Sequence, residues 1–232
     1  VKIKEQRLIC RLPRSVRINT NNRRERGSSM LLSHAFGLFT HPDEEWASIR
    51  KEHETPRRVY VAYVLILAAI APICAYISTA YFGWTVGNER LIKLTEISAM
   101  QLSVLTYLAM LVGVFALGYA INWMARTYGA KEEHVPSNGI ALAAYSCTPL
   151  FLAGFALLYP VPWFNAIVFL AAACYGAYLM YDGLPIVMGI EKERAVMYAG
   201  ALLTVALVIL VSTRVGSVIL WNFGVGPVFI SG

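Results

Sequence analysis

Long runs without a charged residue organise this sequence. No charge falls between Arg58 and Glu89, and Val59–Phe82 is the apolar part of that interval. A second run, Ile97–Ala125, lies between Glu96 and Arg126. From Val135 to Tyr181 no charge occurs at all. Tyr159-Pro160-Val161-Pro162 divides this stretch into Gly139–Tyr159 and Trp163–Tyr181, because Pro ends one helix and suits the first turn of the next. A last run, Ala195–Val218, carries only Arg214 near its far end. A spanning helix needs about 20 mostly apolar residues. The pattern therefore predicts an all-α integral membrane bundle of five transmembrane helices: 59–82, 97–125, 139–159, 163–181 and 195–218. Residues 221–232 hold Gly224, Gly226 and Pro227, and are expected to form a short outer tail.

Five spans put the termini on opposite sides. One set of connections holds Arg50, Lys51, Arg57, Arg58, Arg126, Lys131, Lys192 and Arg194; the other holds Arg90, Lys93 and Arg214. The excess of basic residues predicts a cytoplasmic N-terminus and an extracytoplasmic C-terminus. Composition agrees with the pattern. The chain is 57% hydrophobic and 15% charged, with a mean hydropathy of +0.55. That excludes a disordered chain or a coiled coil for its bulk, and it exceeds what a water-soluble globule can hide.

The net charge of +6 is unevenly spread. Residues 1–29 hold nine Lys or Arg against Glu5 and Glu25, a net +7, so the remainder stands at −1. This stretch lacks the apolar core of a signal peptide. It is expected to be a disordered basic extension, read first as upstream sequence counted in from a wrong start site. A transit peptide, from its arginines, serines and scarce acids, and binding of anionic lipid headgroups or of nucleic acid are the rival readings. No nucleic-acid partner is expected for the body.

Residues 30–58 form a cytoplasmic lead-in. Thr40 with Asp43 three residues later is a capping-box pattern, and Pro42 fits the first helical turn. Trp46 and Ile49 then share a face opposite Glu44, Arg50 and Lys51. Two readings stand: a segment lying on the membrane surface, or a short helix packed under the bundle.

The chemistry of sites is sparse. No phosphate-binding loop or dinucleotide-binding glycine pattern is present. Cys10, Cys74, Cys147 and Cys174 form no metal spacing, and His41 has no second His at i+4. No metal and no cofactor are expected. His34, His41, His53 and His134 all lie outside the spans, so Ser78, Ser103 and Ser146 have no base within the bilayer. Asp182 is the one carboxylate near a span; it is expected near the inner surface, beside water or a cation such as Arg126, Lys192 or Arg194. Gly183 and Pro185 are expected to stop its helix there. Pro72 and Pro149 fall mid-span, where they kink a helix or break it as in transporters. Small residues at i, i+4 spacing (Gly139, Ala143 and Cys147; Ala172 and Gly176) support close helix packing.

Specific strings then become informative. Phe39-Thr40-His41-Pro42-Asp43-Glu44-Glu45-Trp46 resembles the entry motif of bacterial Yip-domain inner-membrane proteins. Tyr145-Ser146-Cys147-Thr148-Pro149 is similar to a Tyr…Ser…Pro string of the wider Ypt-interacting-protein (Yip) family. Tyr181-Asp182-Gly183-Leu184-Pro185 with Glu193-Arg194-Ala195 resembles that family's junction between spans four and five. The likeness covers residues 30–220, and 59–220 is the expected membrane domain. It implies a multi-pass protein of the bacterial inner membrane. The motif residues it marks for structure or interaction are Thr40, Pro42, Asp43, Trp46, Tyr145, Pro149, Asp182, Gly183 and Pro185. Eukaryotic relatives are associated with Rab-type GTPases, but their Asp-Leu-Tyr-Gly-Pro string is absent here, which counts against a GTPase partner. The expected role is non-enzymatic: a membrane scaffold or interaction protein acting on lipid, on other membrane proteins or on itself, through segments 36–53 and 182–194. The alternative is a small-solute transporter or channel using the Pro72 and Pro149 breaks.

Overall fold

The computed structural model describes residues 37–52, 55–85, 92–130, 135–224 and 226–231. The basic stretch 1–29 and the first part of the lead-in lie outside them. A short helix, α1 (Pro42–Glu52), precedes five long apolar helices. These are α2 (Arg57–Phe82), α3 (Glu96–Ala125), α4 (Asn138–Leu158), α5 (Pro162–Met188) and α6 (Lys192–Trp221). Each contains a stretch long and apolar enough to cross a bilayer, as the charge-free runs predict.

The helices run up and down, so α1 and the α5–α6 connection share one end of the bundle. In α4, 61% of the most apolar window is buried, against 22% in α5 and α6, which makes α4 the central rod. Its neighbours are α2, α3 and α5, while α6 packs on α3 and α5. Tyr198 of α6 donates a hydrogen bond to the Ile121 carbonyl of α3 and stacks on Tyr128 at 4.7 Å.

Both mid-span prolines break their helices. Pro72 cannot donate to Ala68, and α2 makes a turn at Ala68 and Ala69 before resuming at Ile70. The carbonyl of Leu65, just before this turn, accepts from the Tyr107 hydroxyl at 3.0 Å. In α4 the break falls at Cys147, and Thr148–Ala153 continues with Pro149 in its first turn. Thr148 donates back to the Ala144 carbonyl at 3.4 Å, so a local hydroxyl satisfies backbone at the break.

One expectation fails at a helix end. Gly183 and Pro185 do not stop α5, which continues through both to Met188. The ending is set by tertiary partners: Arg50 Nη1 donates to Ile186 O at 3.0 Å, and Asn138 Nδ2 donates to Val187 O at 3.1 Å. Gly189 then turns the chain with φ of 64°, the left-handed geometry that glycine adopts freely. Segment 182–194 is therefore mostly helix, with a connection only at 189–191. At the opposite end, the stretch after α6 carries a short strand. Strand β1 (Ile92–Leu94) pairs antiparallel with β2 (Phe229–Ser231), placing Ile92 opposite Ser231. Ser98 fastens this ribbon by donating to Gly226 O at 2.7 Å and accepting from Val228 N–H at 3.0 Å.

Candidate functional site

The motif residues from three distant stretches meet where α1 docks on the bundle. A helical turn at 37–40 leads in. Its Leu38 is buried, and the Leu38 carbonyl accepts from the Tyr175 hydroxyl at 3.0 Å. Phe39 stacks on Tyr175 at 5.2 Å, nearly parallel. The Thr40 hydroxyl donates to the Gly37 carbonyl at 3.2 Å, closing the turn at 37–40. His41 occupies the position before the helix, and its carbonyl accepts from Glu45 N–H at 3.2 Å. Pro42 opens α1 as expected. Acids crowd the first turn of α1 and Arg50 and Lys51 its last, complementing the helix dipole.

Trp46 and Ile49 turn inward, so this face of α1 packs on the bundle. Trp46 is fully buried. Its ring meets Tyr145 edge-on at 6.4 Å, and Tyr145 meets Tyr63 of α2 at 4.7 Å. The Tyr63 hydroxyl lies 2.6 Å from Thr148 Oγ1, beside Pro149. On its other side Trp46 lies against Gly183. A Cβ there would come within 2.7 Å of both Trp46 and Leu142. Gly183 is thus required by the closeness of the indole, not by the end of a helix. Pro185 sits inside α5 one turn before its capped end.

Asp182 does not stand alone. Asp43 of α1 comes within hydrogen-bonding range of its carboxyl, and Lys192 supplies a compensating positive charge. Of the other cations expected beside it, Arg194 instead faces Glu191 at 3.7 Å. Some buried polar atoms in this region have no hydrogen-bond partner: Trp46 Nε1, Ser146 Oγ and Asp182 Oδ2. Among the described residues, no three His, Cys, Asp or Glu side chains gather to hold a metal ion. Sequence reasoning missed Tyr63, Tyr175, Arg50 and Asn138. Only Asn138 carried a signal, as a polar side chain opening a long apolar run.

A family model described as the Yip1 domain matches residues 36–213, which includes every motif residue named above. The chain belongs to the Yip1 domain family. The inner membrane protein YohC of Escherichia coli strain K12 is 39% identical over 193 residues, covering 83% of this chain and 98% of that relative. The YohC of Escherichia coli O6:H1 matches to the same extent. No solved structure matches the chain. With its five apolar helices, this Yip1-family member is a multi-pass protein of the bacterial inner membrane. The family match begins one residue before the turn that carries Leu38 and Phe39, so the docked lead-in belongs to the matched region together with the spans.

Proposed function

We propose that this Yip1-family protein is a non-enzymatic scaffold of the inner membrane. Its contact face is the outer side of α1 together with the α5–α6 connection, on the cytoplasmic side of the bilayer. The lead-in of residues 30–58 is the interaction element, and 59–220 is the membrane domain that holds it still. One observation carries this reading: Trp46, wedged between Tyr145 and Gly183, fixes α1 rigidly to the spans. Away from Trp46, α1 exposes Glu44 and Lys51, and Glu191, Lys192, Glu193 and Arg194 of the α5–α6 connection are exposed as well. A rigid, charged platform at the membrane suits binding of another protein or of headgroups better than turnover of a substrate.

A small-solute channel is the rival. Its support is the buried, unpartnered Ser146 hydroxyl beside the Pro149 break. Against it, the last part of α4 packs closely on α2 beside Pro72: a Cβ on Gly154 would lie 2.6 Å from Ala71. The cavity at Pro72 is walled by apolar groups such as Ile73, Met100 and Val104.

Photo-crosslinkers at Glu44 and Glu193 test the scaffold in native membranes. They should capture discrete protein or lipid adducts that a probe at Lys93 does not. Equal labelling at all three sites, combined with solute flux in proteoliposomes that Pro149→Ala abolishes, reverses the ranking. A reporter fused after Gly232 should read as extracytoplasmic; a cytoplasmic signal moves the platform to the other face.

A further inference from the structure

The turn at 37–40 reaches deeper into the bundle than the rest of the lead-in, and two helices give its depth. α5 begins with Trp163, an 82% exposed ring of the kind that sits at the bilayer interface. Tyr175, which holds Leu38 and Phe39, lies twelve residues further on, about 18 Å at ~1.5 Å per residue. Of a hydrocarbon core of about 30 Å, about 12 Å then remains on the α1 side. α4 agrees. A Cβ on Gly176 would lie 2.7 Å from the Ser146 carbonyl, so Tyr175 and Ser146 share a level. Ser146 is eight residues, again about 12 Å, from the Asn138 end of α4.

The lead-in changes polarity along its axis in step with that depth. Leu38 and Phe39 lie at the level of Tyr175. Asp43 meets Asp182, nineteen residues from Trp163 and so about 28 Å from the outer edge, close to the inner limit of the hydrocarbon. Arg50 reaches Ile186 O, further out still. A helix lying flat on a membrane divides its apolar and polar residues around its axis instead.

Carbonyls at the tip are satisfied from within the protein. Gly37 O accepts from His41 N–H at 2.8 Å and from the Thr40 hydroxyl at 3.2 Å. Leu38 O accepts from the Tyr175 hydroxyl at 3.0 Å, and His41 O from Glu45 N–H at 3.2 Å. Hydrocarbon demands this, because it offers no partner to a bare carbonyl. The Phe39 ring covers Tyr175 yet stays 43% exposed. Beside it on α5, Cys174 and Tyr178 are exposed too, with the Tyr178 ring 5.8 Å from that of Tyr175. Phe39 is thus continuous with the side of α5 that faces lipid.

We infer that residues 37–40 form a membrane insert: they enter the leaflet on the α1 side tip-first, with Phe39 against its acyl chains, and α1 climbs from there to water. Depth decides for acyl chains as the occupant. An exposed ring about 12 Å inside the hydrocarbon has lipid tails beside it, and Phe39 brings no polar atom that would object to them. The charged platform belongs to the other end of the lead-in, so the insert stands whether or not that platform binds a partner.

Spin-label accessibility tests the insert in full chains reconstituted into liposomes of phosphatidylethanolamine and phosphatidylglycerol. With Cys10, Cys74 and Cys147 replaced by alanine, a nitroxide on native Cys174 marks the lipid-facing side of α5. Phe39→Cys, Glu44→Cys and Lys51→Cys, each in a chain that also carries Cys174→Ala, place the label on the lead-in. The ratio of collisions with oxygen to collisions with a water-soluble nickel chelate should be about tenfold higher at 39 than at 44 or 51, because a polar chelate is excluded from hydrocarbon. It should approach the ratio at 174. Thr40→Cys gives up one local hydrogen bond and no ring contact, and should likewise favour oxygen. Ratios at 39 and 40 no higher than at 44 place the turn in water and overturn the insert. Low collision rates with both reagents at 39 and 40 mean that protein covers the ring, a second copy included, and overturn it as well.

Discussion

The two ends of this bundle are closed by different means. At the α1 end, side chains do the closing: Trp46 fills a seat between Tyr145 and Gly183, while Arg50 and Asn138 cap the carbonyls of Ile186 and Val187. At the ribbon end, the backbone does it: β1 and β2 exchange main-chain bonds, and Trp84 meets Phe229 at 6.3 Å with Phe229 more than half exposed. A side-chain lock depends on the identity of particular residues far apart in the chain. A backbone ribbon accepts many residues at each position, because its bonds use groups that every residue but proline carries. The α1 end therefore concentrates its stability in a few positions, whereas the ribbon end spreads it.

Truncating the key residue at each end is the most direct attempt to break this contrast. Trp46→Ala removes a fully buried indole and leaves a void between two helices and α1. The expected loss is about 3–5 kcal/mol, seen as a lowered unfolding midpoint in detergent and as rapid amide exchange across 42–52. Phe229→Ala should cost under about 1 kcal/mol, since a mostly exposed ring in a two-stranded ribbon buries little. Equal losses at both sites would mean that the ribbon is no less specific than the lock.

The same contrast explains what was legible in the amino-acid pattern. Charge-free runs located all five spans, with α5 alone running seven residues past its run, because a bilayer imposes length and polarity on each helix separately. The motif strings around Trp46, Tyr145 and Gly183 were visible as well, since a lock needs defined residues. Their meeting was not. Gly183 and Pro185 looked like a stop because the local signal for one is strong. The donors that let α5 continue, Arg50 and Asn138, lie 136 and 49 residues away. Asp182 looked solitary because Asp43 belongs to a segment outside the spans. The ribbon was hidden for the opposite reason: three residues of backbone pairing at each strand leave almost no side-chain signature, and Ile92 and Ser231 are brought together only by the folded bundle.

A smaller effect sharpens the comparison by striking the fastening of the ribbon alone. Ser98→Ala deletes one buried hydroxyl and strands two backbone groups, the Gly226 carbonyl and the Val228 N–H. Leaving such groups unmatched costs about 1–3 kcal/mol. The loss should be local. Hydrogen exchange should quicken at Phe229–Ser231 and Ile92–Leu94, with residues 42–52 unaffected. Loosening of α1 by Ser98→Ala would show that the two ends are coupled through the spans and are not separate closures.

The smallest effect probes the one feature of the lock that works against it. Asp43 and Asp182 bring two acids together across the α1–α5 seam, and Lys192 compensates only part of the charge. Asp43→Asn preserves the shape, removes one negative charge and supplies an amide that can donate to the Asp182 carboxyl. A second term opposes the gain, because Asp43 lies in the first turn of α1, where a negative charge favours the helix dipole by about 0.3–1 kcal/mol. Glu44 and Glu45 share that turn and supply the same interaction, so the repulsion should dominate and α1 should dock more tightly by under about 1 kcal/mol. Asp182→Asn should act in the same direction, and the double substitution should gain less than the sum, since both relieve one contact. Amide exchange across 42–52, compared among the four proteins at one pH, measures the balance. Faster exchange in Asp43→Asn would mean that the dipole term outweighs the repulsion and that the two acids are not in conflict.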